Sequence, residues 1–315
     1  MIDKARTHLT GLWGRWWLAP LAPAIYALAM IPAGQFRPEH AVIAGLVLGL
    51  GLFNRTTQRL TAALYPGVLV AVASDAMRFV VPVFVTPERV HACDLRALEL
   101  TLFAVAPDTT PGDWLQRHTA PFWDVFFAIP YAAFLYVVPV YALYLFVRDR
   151  ERMALYLWAF AIAHVIGYTL WLIVPAAPPW YVRLNGCAVD VKAAANAAGL
   201  LRVDDLFGMS YFQQFYARAA NAFGAVPSMH VAFPLIALFA AMGRATWRTW
   251  PLHIGYATAM FIGSVYLDHH WIVDGIAGAA VALAAVWIAA RLLGLPWPWP
   301  PRALPPAEGA HPPKP

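Results

Sequence analysis

Three residues in the C-terminal part of the chain have types and a spacing suited to phosphoryl transfer. His270 and Asp274 are four residues apart, so on a helix they lie on one face at about hydrogen-bond distance. A carboxylate on one imidazole nitrogen fixes the tautomer and makes the other nitrogen a better nucleophile. His230 would supply a second proton-transfer group. The pattern therefore predicts a nucleophile, its orienting partner and an acid.

Ser228 follows Pro227 and is expected to start a helix, whose first amides and serine hydroxyl would form an anion site. Two other chemistries stay open here. Ser228 with a histidine could form a serine hydrolase, although no nucleophile elbow surrounds it. A metal ion could instead be bound by His230, His269, His270 and Asp268. Each single histidine could also be structural, but Asp274 lies among apolar residues, where a carboxylate is costly and usually functional.

The elements that must position these residues are membrane helices. Hydrophobic residues make up 61% of the 315-residue chain and charged residues 12%, whereas a soluble domain has about 45–50% and about 25%. So little charge cannot cover a soluble surface. The basic residues are scattered and the net charge is only +5, so no nucleic-acid partner is indicated.

Eight apolar runs are candidate spans, with six or seven crossings as alternatives, since about 20 apolar residues cross a bilayer as a helix. They are 12–33, 39–53, 61–86, 121–147, 152–175, 228–243, 249–268 and 271–291. With the N-terminus inside, four basic junctions fall on the cytoplasmic side, as the positive-inside rule requires. They contain Arg55 and Arg59; Arg148, Arg150 and Arg152; Arg244 and Arg248; and Arg291 and Arg302. His230 and His270 then share the outer rim, beside two predicted surface caps, 87–120 and 176–227.

The predicted organisation has three parts. Residues 1–40 hold an N-terminal segment with the first span, residues 41–294 form the catalytic membrane domain, and residues 295–315 form a Pro-rich disordered tail. Cys93 and Cys187 both fall on the outer side. An oxidising compartment would let them pair if their Cα atoms came within roughly 7 Å, and the sequence leaves that pairing open.

Two motifs carry a family resemblance. Pro227-Ser228-Met229-His230 matches a Pro-Ser-Gly-His motif with Met for Gly, and His270-x3-Asp274 matches the end of a third motif. The chain resembles the type 2 phosphatidic acid phosphatase (PAP2) superfamily. More narrowly it is similar to the inositol phosphorylceramide synthase (aureobasidin-target) branch and its bacterial relatives. In that branch a Pro-rich segment like residues 175–180 stands at the first motif.

The resemblance implies an all-α polytopic bundle with a six-helix core, a site at one membrane face, and neither a metal nor a cofactor. By position, His270 would form a phosphohistidine, Asp274 would orient it, and His230 would protonate the leaving group. The protein would lie in a bacterial inner membrane with its site on the non-cytoplasmic face.

The chain departs from the superfamily in its cations. The Lys and Arg of the first motif have no match in residues 175–180, and Ser264 stands where the third motif usually has Arg. Other cations must meet the phosphate, and Arg78 and Arg183 are the favoured candidates, although Arg78 could instead pair with Asp75. The remaining candidates are Lys192, Arg202 and Arg218.

These observations predict an enzyme that moves a phosphoryl or phospho-head group between a membrane lipid and an acceptor. A polyol acceptor such as inositol would make it a synthase, and water would make it a lipid phosphate phosphatase. A non-catalytic lipid-binding or transport protein on the same scaffold is the third possibility. The sequence does not indicate an oligomeric state.

Overall fold

A computed structural model describes residues 2–300, with side chains from residue 7 onward. This range forms fourteen α-helices and isolated β-bridges but no β-strand, so the predicted all-α class is confirmed. The helices are α1 (Ile2–Trp13), α2 (Ala22–Met30), α3 (Pro38–Phe53), α4 (Arg55–Phe84), α5 (Cys93–Phe103), α6 (Pro111–Gln116), α7 (Pro121–Arg148), α8 (Arg150–Ile173), α9 (Pro179–Asn185), α10 (Leu201–Phe207), α11 (Tyr211–Tyr216), α12 (Met229–Ala240), α13 (Trp250–Tyr266) and α14 (Ile272–Leu293).

Six long helices, α4, α7, α8 and α12 to α14, form the core of the bundle. Helix α8 packs against α4, α7, α12 and α14, and α2 and α3 pack against each other and against α4. The contact between α8 and α14 is lined by small residues: Ala159 and Ala163 on one helix and Ala282 and Ala285 on the other are fully buried. Small side chains let two helix backbones approach closely, which is how helices associate within a bilayer.

Seven of the eight predicted apolar runs each form one α-helix. The first run, 12–33, does not, because Gly14 takes a left-handed conformation and two 3-10 turns separate the end of α1 from α2. Four of these helices, α4, α7, α8 and α14, are long and apolar enough to cross a membrane. The others are shorter or less apolar, so eight crossings stay a prediction. Large hydrophobic side chains such as Val83, Val147 and Val165 point outward from the spans, as expected for helices that face lipid. The chain is therefore an integral membrane protein.

The two predicted surface caps meet over the turn between α13 and α14. From the first cap, the Gln116 amide donates to the carbonyl of Tyr266 at 2.7 Å. From the second, the Gly199 amide donates to the carbonyl of Leu267 at 2.9 Å and the Trp180 amide donates to the carbonyl of Asp268 at 3.1 Å. The caps therefore hold the backbone of the segment that carries His270.

The backbone of the Pro-rich segment 175–180 makes hydrogen bonds to residues of both caps. Its Ala177 amide donates to the carbonyl of His91 at 2.7 Å, and its Ala176 amide donates to the carbonyl of Phe223 at 2.8 Å. The Ala225 amide returns a bond to the Ala176 carbonyl at 3.2 Å. This ladder fixes the backbone just before Ser228.

The first residues of the tail that was predicted to be disordered pack against the bundle. Trp297 and Trp299 donate their indole N–H groups to the carbonyls of Phe239 and Ala240, at 2.7 and 2.8 Å. The Trp299 ring is 2% exposed and lies 3.9 Å from the guanidinium of Arg244. Two tryptophans supply the buried area that the prolines lack, so residues 295–300 pack on the bundle. Residues 301–315 lie outside the described residues.

Cys93, at the start of α5, and Cys187, just after α9, form a disulfide with their Cα atoms 5.3 Å apart. The pairing that the sequence left open is therefore present, and it joins the first cap to the second. It fits the topology that places both caps on the non-cytoplasmic side, where thiols are oxidised.

Candidate active site

The candidate site forms where the N-terminal ends of α12 and α14 meet. Ser228 caps α12 by accepting a bond from the Val231 amide at 3.3 Å, and its own amide donates to the carbonyl of Asp274 at 3.0 Å. A Cβ at Gly278 would overlap the Ser228 carbonyl, so glycine lets α14 come this close. The predicted helix start at Ser228 is observed. The predicted contact of its hydroxyl with phosphate stays a prediction, because the side chain is fully buried and does not line the cavity beside the histidines.

The structure brings His230, His270 and Asp274 together. Nδ1 of His230 lies 3.1 Å from Nε2 of His270. On the other side of the His270 ring, Nδ1 lies 3.1 Å from the carbonyl oxygen of Ala225 and 3.4 Å from the Asp274 carboxylate. Both neighbours of Nδ1 are acceptors, so we assign the proton to Nδ1. Nε2 then keeps its lone pair and faces His230.

Burial keeps His270 in the state that a nucleophile needs. Its side chain is 7% exposed, and this burial lowers the pKa of the imidazole to about 4, against an opposing effect of the Ala225 carbonyl. His270 is therefore neutral at pH 7, because charging a buried ring costs more than its hydrogen bond returns.

Asp274 also closes the first turn of α14. Its Oδ2 accepts from the Trp271 amide at 2.9 Å, while its Oδ1 has no hydrogen-bond partner among residues 2–300. The next two amides, of Ile272 and Val273, donate to the carboxylate of Glu99 at 2.9 and 3.2 Å. Two carboxylates thus satisfy the exposed amides of this helix end and interact favourably with its dipole.

A cavity of about 500 Å³ opens beside the two histidines. Polar and charged residues of the N-terminal helices contribute to its lining, namely Arg37, His40, Asp75 and Arg78. Aromatic side chains also line it: Phe134, Tyr168, Trp171, Trp180 and Tyr216. Charged and aromatic side chains in one cavity fit a ligand with an anionic head and an apolar body.

Arg78 lines this cavity and is also paired with Asp75. Its guanidinium contacts the Asp75 side chain, and its Nε donates to the Asp75 carbonyl at 2.9 Å. Asp75 has further partners, since the Tyr26 hydroxyl donates to it at 2.6 Å and His40 Nε2 lies 3.1 Å away. Both sequence alternatives for Arg78 are therefore present: it pairs with Asp75 and it lies at the cavity.

Arg183 is not brought to the cavity. Its Nε and Nη2 make a paired contact with the Asp268 carboxylate at 3.0 and 2.8 Å, and its Nη1 donates to Asp113 at 2.9 Å. The hydrogen bonds that the guanidinium donates to Asp268, with the further charge of Asp113, raise the pKa of Arg183. Its position favours a positioning role over direct phosphate binding.

Asp268 stands in the left-handed region (φ 62°), which Asp tolerates better than most residues. The following amides, of His269 and His270, both donate to the Ser264 carbonyl, at 3.0 and 3.1 Å. Arg183 therefore holds the side chain of a tight turn that presents both histidines. Ser264 contributes only backbone here, since its hydroxyl bonds the Phe261 carbonyl at 2.7 Å.

The remaining candidates divide between structure and cavity. Arg202 donates to Asp124 at 2.8 Å and to Gln116 at 3.0 Å, whereas Arg218 lines the cavity and lies 3.7 Å from Glu39.

The sequence also left a metal site open as an alternative. Within the described part of the chain, no three His, Cys, Asp or Glu side chains are grouped as metal ligands.

Comparison with known proteins assigns the class. The sequence model of the PAP2 superfamily matches residues 95–288. The chain belongs to the PAP2 superfamily, and it is a membrane enzyme of the lipid phosphotransferase and phosphatase type. The resemblance drawn from the two motifs is confirmed.

Among its curated relatives, the phosphoinositol dihydroceramide synthase of Bacteroides thetaiotaomicron is 32% identical over 82% of this chain and 86% of that protein. The catalytic subunits of inositol phosphorylceramide synthase from Saccharomyces cerevisiae and Schizosaccharomyces pombe are 31% and 27% identical over 54% and 56% of the chain. The chain spans 43% of each fungal protein. No solved structure matches the chain.

Arg183→Lys tests whether the paired contact between Arg183 and Asp268 holds the turn that presents His269 and His270. Arg183→Lys keeps the charge but cannot make two parallel bonds to Asp268, so we expect turnover to fall about tenfold or more and the melting temperature to drop. Arg89→Lys is the matched control, because Arg89 bonds the carbonyls of Leu172 and Ile173 instead of the turn. A wild-type rate and a wild-type melting temperature in Arg183→Lys would rule out this role of the contact between Arg183 and Asp268.

Proposed function

We propose that the chain transfers a phosphoinositol group from a glycerophospholipid to the hydroxyl of a ceramide-like lipid, through a covalent bond between phosphorus and His270. The observation that carries the proposal is the 3.1 Å approach of His230 Nδ1 to His270 Nε2 at the cavity. The substrates are suggested by the printed name of the Bacteroides relative, which matches this chain over most of both lengths.

In the first step, the lone pair on His270 Nε2 attacks phosphorus. The new N–P bond forms while the bond from phosphorus to the diacylglycerol oxygen breaks. His230, in its imidazolium form, gives a proton to that leaving oxygen, so diacylglycerol departs neutral and His230 is left neutral. The anionic phosphate of the bound donor favours the imidazolium form of His230. The Ala225 carbonyl and Asp274 stabilise the positive charge that builds on the His270 ring. Phosphoinositol stays attached to the enzyme.

In the second step, the acceptor hydroxyl takes the place of diacylglycerol. Neutral His230 removes the hydroxyl proton as the oxygen attacks phosphorus and the N–P bond breaks. The product is a phosphoinositol lipid, and His230 and His270 return to their starting protonation states. One cavity serves both steps, because both lipids present an oxygen at the same point.

Inositol is placed in the transferred group and not in the acceptor, although the sequence allowed a polyol acceptor. The cavity is lined by both charged and aromatic side chains. The polar head can keep its contacts with the charged side chains through both steps while two lipids contact the aromatic side chains in turn. A free inositol acceptor would leave the aromatic side chains without a ligand in the second step.

Arg78 is proposed to offset the charge on the phosphoryl oxygens. Transition-state charge in phosphoryl transfer spreads over those oxygens, so fixed cations at the site lower the barrier. Arg78 has a 14% exposed side chain and lines the cavity with both histidines. Tyr26 and His40 can still satisfy Asp75 when Arg78 turns toward a phosphate.

The proposed location is a bacterial inner membrane with the site on the non-cytoplasmic face. The support is the charge distribution. Arg148, Arg150 and Arg244 belong to junctions that the positive-inside rule assigns to the cytoplasm. The disulfide lies on the caps beside the site, as expected for the oxidising side.

Substitution of the two central residues tests the mechanism. With phosphatidylinositol and a short-chain ceramide in detergent, His270→Ala should abolish product because no nucleophile remains. Asp274→Asn should lower turnover by about 10⁴-fold, by analogy with the wrong-tautomer change in serine proteases, with little change in elution profile. Product release should be measured with and without ceramide. Rapid release of inositol phosphate and no ceramide product would instead identify a phospholipid hydrolase that uses water as the acceptor.

Arg78→Gln tests the proposal that Arg78 offsets the charge on the phosphoryl oxygens. We expect the catalytic rate to fall more than tenfold while the melting temperature stays nearly unchanged, because Asp75 keeps its other donors. Arg78→Gln combined with Asp75→Asn separates the two roles. If Arg78 serves only Asp75, the double variant recovers the rate; if Arg78 meets the phosphate, the rate stays low. A destabilised Arg78→Gln with rescue by Asp75→Asn would contradict the proposal.

A further inference from the structure

His269, the neighbour of the proposed nucleophile, has no role in the steps above. It is 5% exposed and lines the same cavity as His230 and His270. Its ring is stacked between those of Tyr216 and Tyr131, with centroids 4.7 and 5.4 Å away. The two tyrosines fix the plane of the ring, so its nitrogens point in set directions.

One nitrogen of His269 is satisfied by the protein and the other is not. Nε2 of His269 is buried and has no hydrogen-bond partner within residues 2–300. The Ala197 carbonyl is the acceptor that opposes the fall in the pKa of the ring, and because Nε2 is unpaired, we assign the contact with Ala197, and the proton, to Nδ1. With the proton on Nδ1, Nε2 is an acceptor with a free lone pair.

The ring is also uncharged. Burial, together with the nearby His230 and His270, lowers its pKa well below the usual value. A neutral histidine in this tautomer can accept a hydrogen bond at Nε2 but cannot donate one there. Buried acceptors are normally paired, so an unpaired one at a ligand cavity points to a hydrogen-bond donor on the ligand.

We propose that Nε2 of His269 accepts a hydrogen bond from the hydroxyl of the lipid acceptor and so holds its oxygen beside the phosphorus on His270. This inference rests on the proposed function. It assigns the alcohol end of the acceptor to His269. His269 takes no proton: as the oxygen attacks phosphorus, the O–H bond turns from His269 to neutral His230, which removes the proton.

The proposal predicts an effect on the second half-reaction alone. The glycerophospholipid donor has no hydroxyl at the bond that breaks, so forming the N–P bond does not need His269. Losing its Nε2 should raise the KM for the acceptor and let water compete better for the covalent intermediate. The ratio of hydrolysis to transfer should therefore rise together with the KM for the acceptor.

The experiment uses the full chain in detergent with phosphatidylinositol and a short-chain ceramide. His269→Phe keeps a stacked ring but removes Nε2. His164→Phe is the matched control, because His164 is also buried and aromatic-stacked, bonds the Phe160 carbonyl at 2.7 Å through Nδ1, and does not line the cavity. We expect at least a tenfold rise in the KM for ceramide in His269→Phe and less than a twofold change in the control.

A second pair of variants tests the role of Nε2 even if His269→Phe does not fold. The Gln side chain places its amide near the position of Nε2, whereas the Asn amide reaches only the position of Nδ1. His269→Gln should therefore recover much of the ceramide KM and His269→Asn should not. Equal KM values for Gln, Asn and wild type would overturn the role of Nε2.

The first-turnover release of diacylglycerol separates this inference from the proposed function. Wild type without that release would overturn the proposed function, and the inference with it. Normal release in the position 269 variants with an unchanged KM for ceramide and unchanged hydrolysis would overturn the inference alone. Loss of release in His269→Phe and His269→Gln alike would also overturn it, since His269 would then act in the first step.

Discussion

The Nδ1–H of His270 lies between two acceptors, the carbonyl of Ala225 at 3.1 Å and the carboxylate of Asp274 at 3.4 Å. This arrangement leaves the lone pair of Nε2 on the side of the ring that faces His230. It also joins the segment before α12 to the first turn of α14, because the two acceptors come from those two places. The proposed nucleophile is therefore oriented by the same contact that brings the two helix ends together.

Holding that contact at a membrane rim requires many polar groups to be satisfied without bulk water. Glu99 and Asp274 accept the first amides of α14. Arg183 holds the side chain of Asp268 in the preceding turn. The disulfide ties together the caps that carry Glu99 and Arg183. The caps thus position the site from outside the bundle, while small residues on α8 and α14 position it from within.

Local patterns predicted the three central residues. The four-residue spacing of His270 and Asp274 and the helix start at Ser228 are properties of one short segment each. The apolar runs also predicted the helices, because a span must be continuous in sequence. The packing of Trp297 and Trp299 was missed because the prolines around them were taken as evidence against it, although the two indoles bond the end of α12 and hold the segment.

The supporting residues could not be predicted, because they depend on contacts between distant parts of the chain. Glu99 bonds an amide 173 positions away, and Ala225 acts through its backbone, which no residue type reveals. Glu99 did offer one signal, since it is an acid between two leucines on an apolar helix. Arg183 looked like a phosphate ligand because its carboxylate partners, Asp113 and Asp268, lie 70 and 85 positions away.

The covalent bond between phosphorus and His270 is most directly tested by the stereochemistry at phosphorus. The donor would be phosphatidylinositol with one non-bridging phosphoryl oxygen replaced by sulfur in a single configuration, and ³¹P NMR would read the configuration of the product. Each in-line displacement inverts the centre, so two displacements through His270 predict overall retention. Overall inversion would mean that the acceptor attacks the donor directly, and would contradict the account.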